Sequence, residues 1–405
     1  MNRLFVAVLA ARLTSNFGTF LSMMALNVYM LELTGSAVWM GLTLAVKVVS
    51  GILSAPVIGW VVDRFDRRRL MVLSDAVLAA AMLALVFMPP AALRAYIVFL
   101  MMLSGVFSTL IEVALNAATP VILGTKDTLR ANSWLMGGRN LVVAASALCA
   151  VAAGWLFKGY TEIFILDALT YLVSAGVLLT LPIATTESRP ERRGAGGFLR
   201  GLREDFAAVE RLPNARTILL FLAILLLDTF ASGSHNVGWP VFSRALRPDK
   251  PMLFYGVILF FWALGNVAGI YRLNRTAWVR TLRPETLYLL FTGLMSLGML
   301  LTFQTTAPWF IAASAFLAGV GDGTYQTYLT TYLQGVPDEV RGKVFALNGL
   351  AVRTGFSVGF VAAPLAIEAA SVRATALLFH GAVLLVVAGT WAVLSRRRAP
   401  PPNPA

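Results

Sequence analysis

Residues 59–69 read Gly-Trp-Val-Val-Asp-Arg-Phe-Asp-Arg-Arg-Arg. This dense basic turn separates two long apolar runs, an arrangement that reads as a short loop on the cytoplasmic face of a membrane. Working outward on both sides, apolar runs of 18 or more residues recur along almost the whole chain, and roughly 20 such residues span a bilayer core as a helix.

The composition agrees with that reading. Of 405 residues, 58% are hydrophobic and only 13% charged, against about 25% charged in an average soluble domain. The sequence therefore predicts an all-α polytopic membrane protein. Spans are expected at 4–32, 37–62, 69–88, 94–122, 133–157 and 162–182 in the first half. In the second half they fall at 216–242, 252–273, 285–304, 308–334, 343–368 and 373–395, making about twelve in all. Met-Asn-Arg followed by Leu4 to Ala11 resembles a secretory leader, but the apolar pattern runs past Arg12 to about Leu33, which makes it the first span.

The net charge of +13 does not point to nucleic acid, because the cations sit in short loops between apolar runs. Segments on the side of both termini hold 23 of the 33 Lys and Arg residues, and the opposite loops hold six. This bias places both termini in the cytoplasm, in a bacterial-type inner membrane. A single cysteine, Cys149, allows neither an internal disulfide nor a cysteine metal cluster. His235 and His380 have no ligand-like neighbours in the sequence, so no metal is expected.

Residues 183–215 form the one long cytoplasmic connection. They divide the chain into bundles at 1–182 and 216–395, with a cytoplasmic tail at 396–405. Within the connection Phe198, Leu202, Phe206 and Val209 recur at helical spacing among Arg203, Glu204, Asp205 and Arg211. That pattern predicts an amphipathic helix on the inner membrane surface, with a solvated linker as the alternative. An internal echo supports two pseudo-symmetric halves: Arg130-Ala131-Asn132 after the fourth span matches Arg341-Gly342-Lys343 after the tenth, and Arg139 and Arg353 follow inside the next spans.

Polar residues inside the spans are not scattered. The first span carries Arg12, Ser15, Asn16, Thr19 and Asn27, the fourth Glu112 and Asn116, the seventh Asp228, Ser232, His235 and Asn236, and the tenth Asp322, Tyr325 and Gln326. Each set falls near one helix face, and the striped spans are every third one. Such faces line a cavity or glue helices together. Glu112, Asp228 and Asp322 are the candidate proton carriers. Arg12, Lys47, Arg139 and Arg353 are expected to neutralise these acids or to attract an anionic substrate group. Asp75 and Asp167 lie outside the stripes and read as structural. Phe17, Phe20, Trp239 and Tyr325 would suit an apolar ligand of mixed polarity, or ordinary packing.

Two enzyme-like signals fail on context. Gly355-Phe356-Ser357-Val358-Gly359 matches G-x-S-x-G, but that motif needs a strand-turn-helix setting, and here it lies in an apolar helix where its glycines serve packing. No phosphate-binding G-x-x-x-x-G-K-[ST] loop is present. Neither an enzyme nor a cofactor is expected.

Leu-Thr-Gly-Ser-Ala at 33–37, Asp-Arg-Phe-Asp-Arg-Arg-Arg at 63–69, Arg-Ala-Asn at 130–132 and Pro-Asp-Glu-Val-Arg-Gly-Lys-Val-Phe at 337–345 together resemble the major facilitator superfamily. In texture they are similar to its macrolide-efflux and enterobactin-exporter-like branch. The resemblance implies two six-helix bundles rocking about a midplane cavity lined by the first, fourth, seventh and tenth spans. It also implies that Gly59 permits close helix packing and that Asp63 sits near the N-terminus of the eleventh span, where the helix dipole favours an anion. Arg64, Arg67 and Arg68 would then latch the cytoplasmic side shut, unless they serve only to set topology. The chain departs from the family pattern at Asp66, where Gly is common, at the 269–275 loop, which lacks the Asp, at Thr19, where relatives carry an acid, and in a fifth span without a Gly-Pro signature.

The function so implied is secondary active transport: proton-coupled export of an amphipathic small molecule such as a drug, macrolide or siderophore by a monomer in the lipid bilayer. An uptake symporter, a lipid or lysolipid flippase and a non-transporting scaffold are the alternatives.

Overall fold

The computed structural model describes residues 3–123, 128–157, 159–181, 198–275 and 282–396. Among these there are thirteen helices and no strand. They are α1 (Arg3–Thr34), α2 (Ala37–Arg64), α3 (Arg67–Val86), α4 (Pro90–Leu123), α5 (Thr128–Leu156), α6 (Thr161–Thr180), α7 (Phe198–Glu210), α8 (Ala215–Leu246), α9 (Met252–Arg275), α10 (Pro284–Phe303), α11 (Pro308–Gln334), α12 (Asp338–Ala369) and α13 (Val372–Arg396). The short α7 is the amphipathic segment of the connection, so the seventh and tenth spans of the sequence are α8 and α11.

Eleven of these helices are long and apolar enough to cross a membrane. The other long helix is α11. Its 27 residues suffice in length, but Asp322, Gln326 and a run of Gly, Thr and Tyr make it too polar by composition alone. A helix this polar is stable in a bilayer when neighbours cover it, and α9 and α10 do so.

Local chemistry sets the turns. α1 stops at Gly35, whose φ of 67° lies in the left-handed region that favours glycine, and the Gly35 amide donates to the Leu31 carbonyl at 2.8 Å. Ser36 then caps α2, its hydroxyl accepting from the Val38 amide at 3.2 Å. At the other end of α2, Asp66 caps α3 by accepting from the Arg69 amide at 2.9 Å. The departure from Gly at position 66 thus has a structural use, namely starting the next helix. α12 begins at Asp338 rather than near 343, because Pro337 ends the preceding turn and Asp338 and Glu339 supply the acidic first turn that a helix N-terminus favours.

The packing repeats between halves. α2 packs on α4 as α9 packs on α11, α3 on α6 as α10 on α13, and α1 on α5 and α6 as α8 on α12 and α13. The two bundles meet through α2 against α12 and α5 against α9, the same pairing read from either half. Inside the second bundle the glycines of the 355–359 motif allow backbone contact. A Cβ on Gly233 of α8 would lie 2.4 Å from the Gly359 carbonyl carbon of α12, so the motif packs helices and presents no nucleophile. α7 lies against α12 and α8, with Val209 fully buried and Phe206 exposed.

Candidate functional site

The two ends of the molecule differ. At the end away from the termini the bundles touch. Arg244 of α8 donates to the Leu31 carbonyl of α1 at 2.9 Å, and Asn27 donates to the Tyr255 hydroxyl of α9 at 3.2 Å. Lys250 sits 2.8 Å from the centre of the Trp155 ring. Glu368 at the end of α12 accepts from the Ser36 hydroxyl at 2.6 Å and the Val38 amide at 3.1 Å, which adds a second cap to α2 from the opposite bundle.

At the end that carries the termini the sequence-expected latch is undone. Nothing lies within 4 Å of a Cβ built on Gly59, so it makes no close helix contact in this state. Among the described residues Asp63 has no ion-pair or hydrogen-bond partner. Arg64 covers Trp60, its Cζ 4.2 Å from the ring centre. Arg67 is buried and donates to the Ala117 carbonyl of α4 at 3.1 Å, and Arg68 donates to the Leu181 carbonyl after α6. Both bonds tie the loop to its own bundle.

Between the bundles the polar stripes separate into two kinds. Glu112, Asn116 and Gln326 are exposed, and Asn16, Thr19 and Asn236 are half-buried. Thr19 is bonded to the Ser15 carbonyl and to the Tyr171 hydroxyl, at 2.9 and 2.7 Å. The remaining stripe residues are buried inside one bundle or the other.

Arg12 turns inward. It is 3% exposed and donates to Asp75 at 2.8 Å, to Ser174 at 3.2 Å and to Ser15 at 3.0 Å, while Ser174 also donates to Asp75 at 2.7 Å. The expectation that Arg12 lines a cavity is corrected: the pair fastens α1 to α3 and α6. A guanidinium at this depth needs a carboxylate, and Asp75 is the one within reach. Asn27 belongs to the closed end, as described above.

Ser232 is buried, its carbonyl accepting from the Asn236 side chain at 2.9 Å. His235 is buried against His380 of α13, Nδ1 to Nε2 at 3.1 Å, and His380 Nδ1 lies 3.3 Å from the Ser296 hydroxyl of α10. The sequence reading saw no neighbours for these histidines; 145 residues apart, they are each other's. No third His, Cys, Asp or Glu joins them among the described residues.

The second bundle brings four predicted residues into one network. Tyr325 of α11 donates to Asp228 of α8 at 2.6 Å, and Gln326 donates to Asp322 at 2.6 Å. Asp228 and Asp322 lie near enough to act on each other electrostatically. Asp228 is fully buried and Asp322 is 3% exposed, yet neither has a cation within ion-pair range among the described residues. Sequence reasoning missed Tyr288, whose ring meets Tyr325 edge-on at 5.7 Å; it recurs with Thr292 and Ser296 at helical spacing on α10, a weakly polar stripe with no acid or amide to mark it. It also missed the bond from Ser22 of α1 to Asp167 of α6.

Known proteins match this architecture. The chain is 20% identical over 374 residues to macrolide efflux protein A of Streptococcus pyogenes, covering 88% of this chain and 87% of that one. It is 23% identical over 312 residues to a Bacillus subtilis protein named for bacilysin export, BacE, covering 75% and 74%. Among solved structures, a mutant of the nucleoside transporter NupG superposes with a TM-score of 0.76 at 11% identity, covering 96% of this chain and 99% of that one. The peptide transporter POT in complex with sulfate gives 0.72 at 16% identity, covering 98% and 95%. At such identities the structures attest the fold alone. Residues 8–335 match the Major Facilitator Superfamily profile; the chain belongs to that family, as a multi-pass membrane transporter and not an enzyme.

Proposed function

We propose that this chain is a proton-coupled exporter of amphipathic small molecules, working by alternating access with both termini in the cytoplasm. The observation that carries the coupling is the buried network of Asp228, Tyr325, Asp322 and Gln326, in which two carboxylates share one bundle interior without a cation. Charging such a group without a partner costs several kcal/mol, so gain or loss of a proton there is tied to whichever bundle arrangement admits water. Export as the direction is supported by the relatives named for macrolide efflux and bacilysin export.

In this reading the structure is the inward-facing state. Closure at the terminus side would bring Asp63 to the first turn of α12 and free Glu368 from α2 at the far side. The carrier set is Asp228 and Asp322, with Glu112 at the exposed wall. Asn16, Thr19, Asn116, Asn236 and Gln326 are the wall residues that meet substrate.

The test is flux in proteoliposomes of macrolides, siderophores and fluorescent cationic dyes, with and without an imposed pH gradient. Wild type is compared with Asp63→Asn, Asp228→Asn and Asp322→Asn. Gradient-dependent export that disappears in the variants supports the proposal. Flux that ignores the gradient sinks proton coupling and favours a flippase, and flux that runs inward with the gradient favours an uptake symporter.

A further inference from the structure

The inner wall of the first bundle carries two cations that no carboxylate pairs with among the described residues. Lys47 of α2 reaches Met23 of α1, Nζ to Sδ at 3.7 Å. Arg139 of α5 lies with its Cζ 5.7 Å from the centre of the Phe20 ring. Phe20 and Met23 are three residues apart and share one face of α1. The helices that flank the bundle interface, α2 and α5, thus direct like charges onto one patch of α1, near enough for each to act on the other.

Like charges on an apolar wall repel, and each is costly there without a counter-ion. The two fully buried acids of the same bundle are engaged elsewhere. Asp75 is held by Arg12 and Ser174. Asp167 feels the charge of Lys47, but it is bonded to Ser22 and to Thr170 and lies beyond ion-pair distance. The hydroxyls nearest Lys47 are engaged within the bundle, Ser22 on Asp167 and Thr19 on the Ser15 carbonyl, with Tyr171 bonded to Thr19, and they leave the ammonium without a counter-charge. An ammonium and a guanidinium without a paired carboxylate suit an oxyanion.

We infer that Lys47 and Arg139 hold an anionic oxygen group of the transported molecule, a carboxylate or phosphate. This narrows the substrate class and rests on the transporter reading above, though not on its proton coupling. The Phe20 face orients the guanidinium, and the ammonium supplies a movable second contact.

The test is binding to the full-length protein purified in detergent, with no gradient present, so that a failure of coupling cannot disguise itself as a failure of recognition. The probes are N-dansyl-leucine, its methyl ester and lysophosphatidic acid, read by thermal shift and dansyl fluorescence. The acid is expected to bind wild type, and its affinity to fall about tenfold or more in Lys47→Gln and in Arg139→Gln. Lys47→Arg should retain binding, and Ser357→Ala should leave it unchanged. Stronger binding of lysophosphatidic acid than of N-dansyl-leucine, lost in the same variants, assigns the anion to a lipid headgroup.

Equal binding of acid and ester overturns the inference, as does acid binding unchanged in both variants, or none to wild type. If Lys47 serves only to balance Asp167, the double variant Lys47→Gln with Asp167→Asn will bind the acid as wild type does, and that result also overturns it.

Discussion

Tyr325 of α11 donates its hydroxyl hydrogen to Asp228 of α8 at 2.6 Å, and this is the one hydrogen bond that holds that fully buried carboxylate to another helix. The other oxygen, Oδ1, has no partner among the described residues. Tyr325→Phe therefore leaves Asp228 without a donor, at a cost of about 1–3 kcal/mol in the protonation state that needs it. Gradient-driven flux should fall by about tenfold or more while the protein still elutes as a folded species in size-exclusion chromatography. Unchanged flux would remove this network from the coupling.

Arg12 and Asp75 form a buried pair whose two halves are unequal to lose. Arg12→Met strands the carboxylate and should destabilise the protein by about 3–5 kcal/mol, whereas the double variant Arg12→Met with Asp75→Leu should recover most of that loss. Thermal melting in detergent checks it. A double variant no better than the single would mean that Ser15 and Ser174 carry the site instead.

Gly233 and Gly359 bring α8 and α12 into backbone contact, and a Cβ on the first would meet the second at 2.4 Å. Gly233→Leu should force the helices apart, costing about 1–3 kcal/mol or more, and should lower both the melting temperature and the yield of monodisperse protein. Ser357→Ala within the same motif should change neither stability nor flux by a measurable amount.

Glu368 caps α2 from the opposite bundle only while the far side is closed. Glu368→Gln weakens that cap and should shift the population toward closure at the terminus side. Spin labels at positions 60 and 345 on a Cys149→Ser background should then report a shorter mean distance than in wild type. A distribution identical to wild type would show that the other far-side contacts, such as Arg244 with Leu31, hold the state alone.

Asp66 can be tested in isolation from the latch. Asp66→Ala removes the α3 cap and should cost about 1 kcal/mol, while Asp66→Gly should cost only a few tenths. A melting series of wild type and the two variants reads the order directly.

The sequence by itself determined the class of this protein. Apolar runs long enough to span a bilayer, cations gathered into alternate loops and the basic turn at 63–69 leave no soluble solution, because backbone polar groups in lipid must be satisfied within helices. Spacing also determined which face of α1, α4, α8 and α11 is polar, since helical period is a local property. Asp228, Tyr325, Asp322 and Gln326 were legible on those grounds.

Only the tertiary structure decided what each polar residue touches. Arg12 finds Asp75, His235 finds His380 and Arg139 comes to lie over Phe20, over separations in the chain that no local pattern encodes. The same holds for the latch. Asp63 and Gly59 are recognisable in the chain, but whether they meet α12 depends on the relative tilt of two bundles. In the structure the tilt is the one that joins Glu368 to α2.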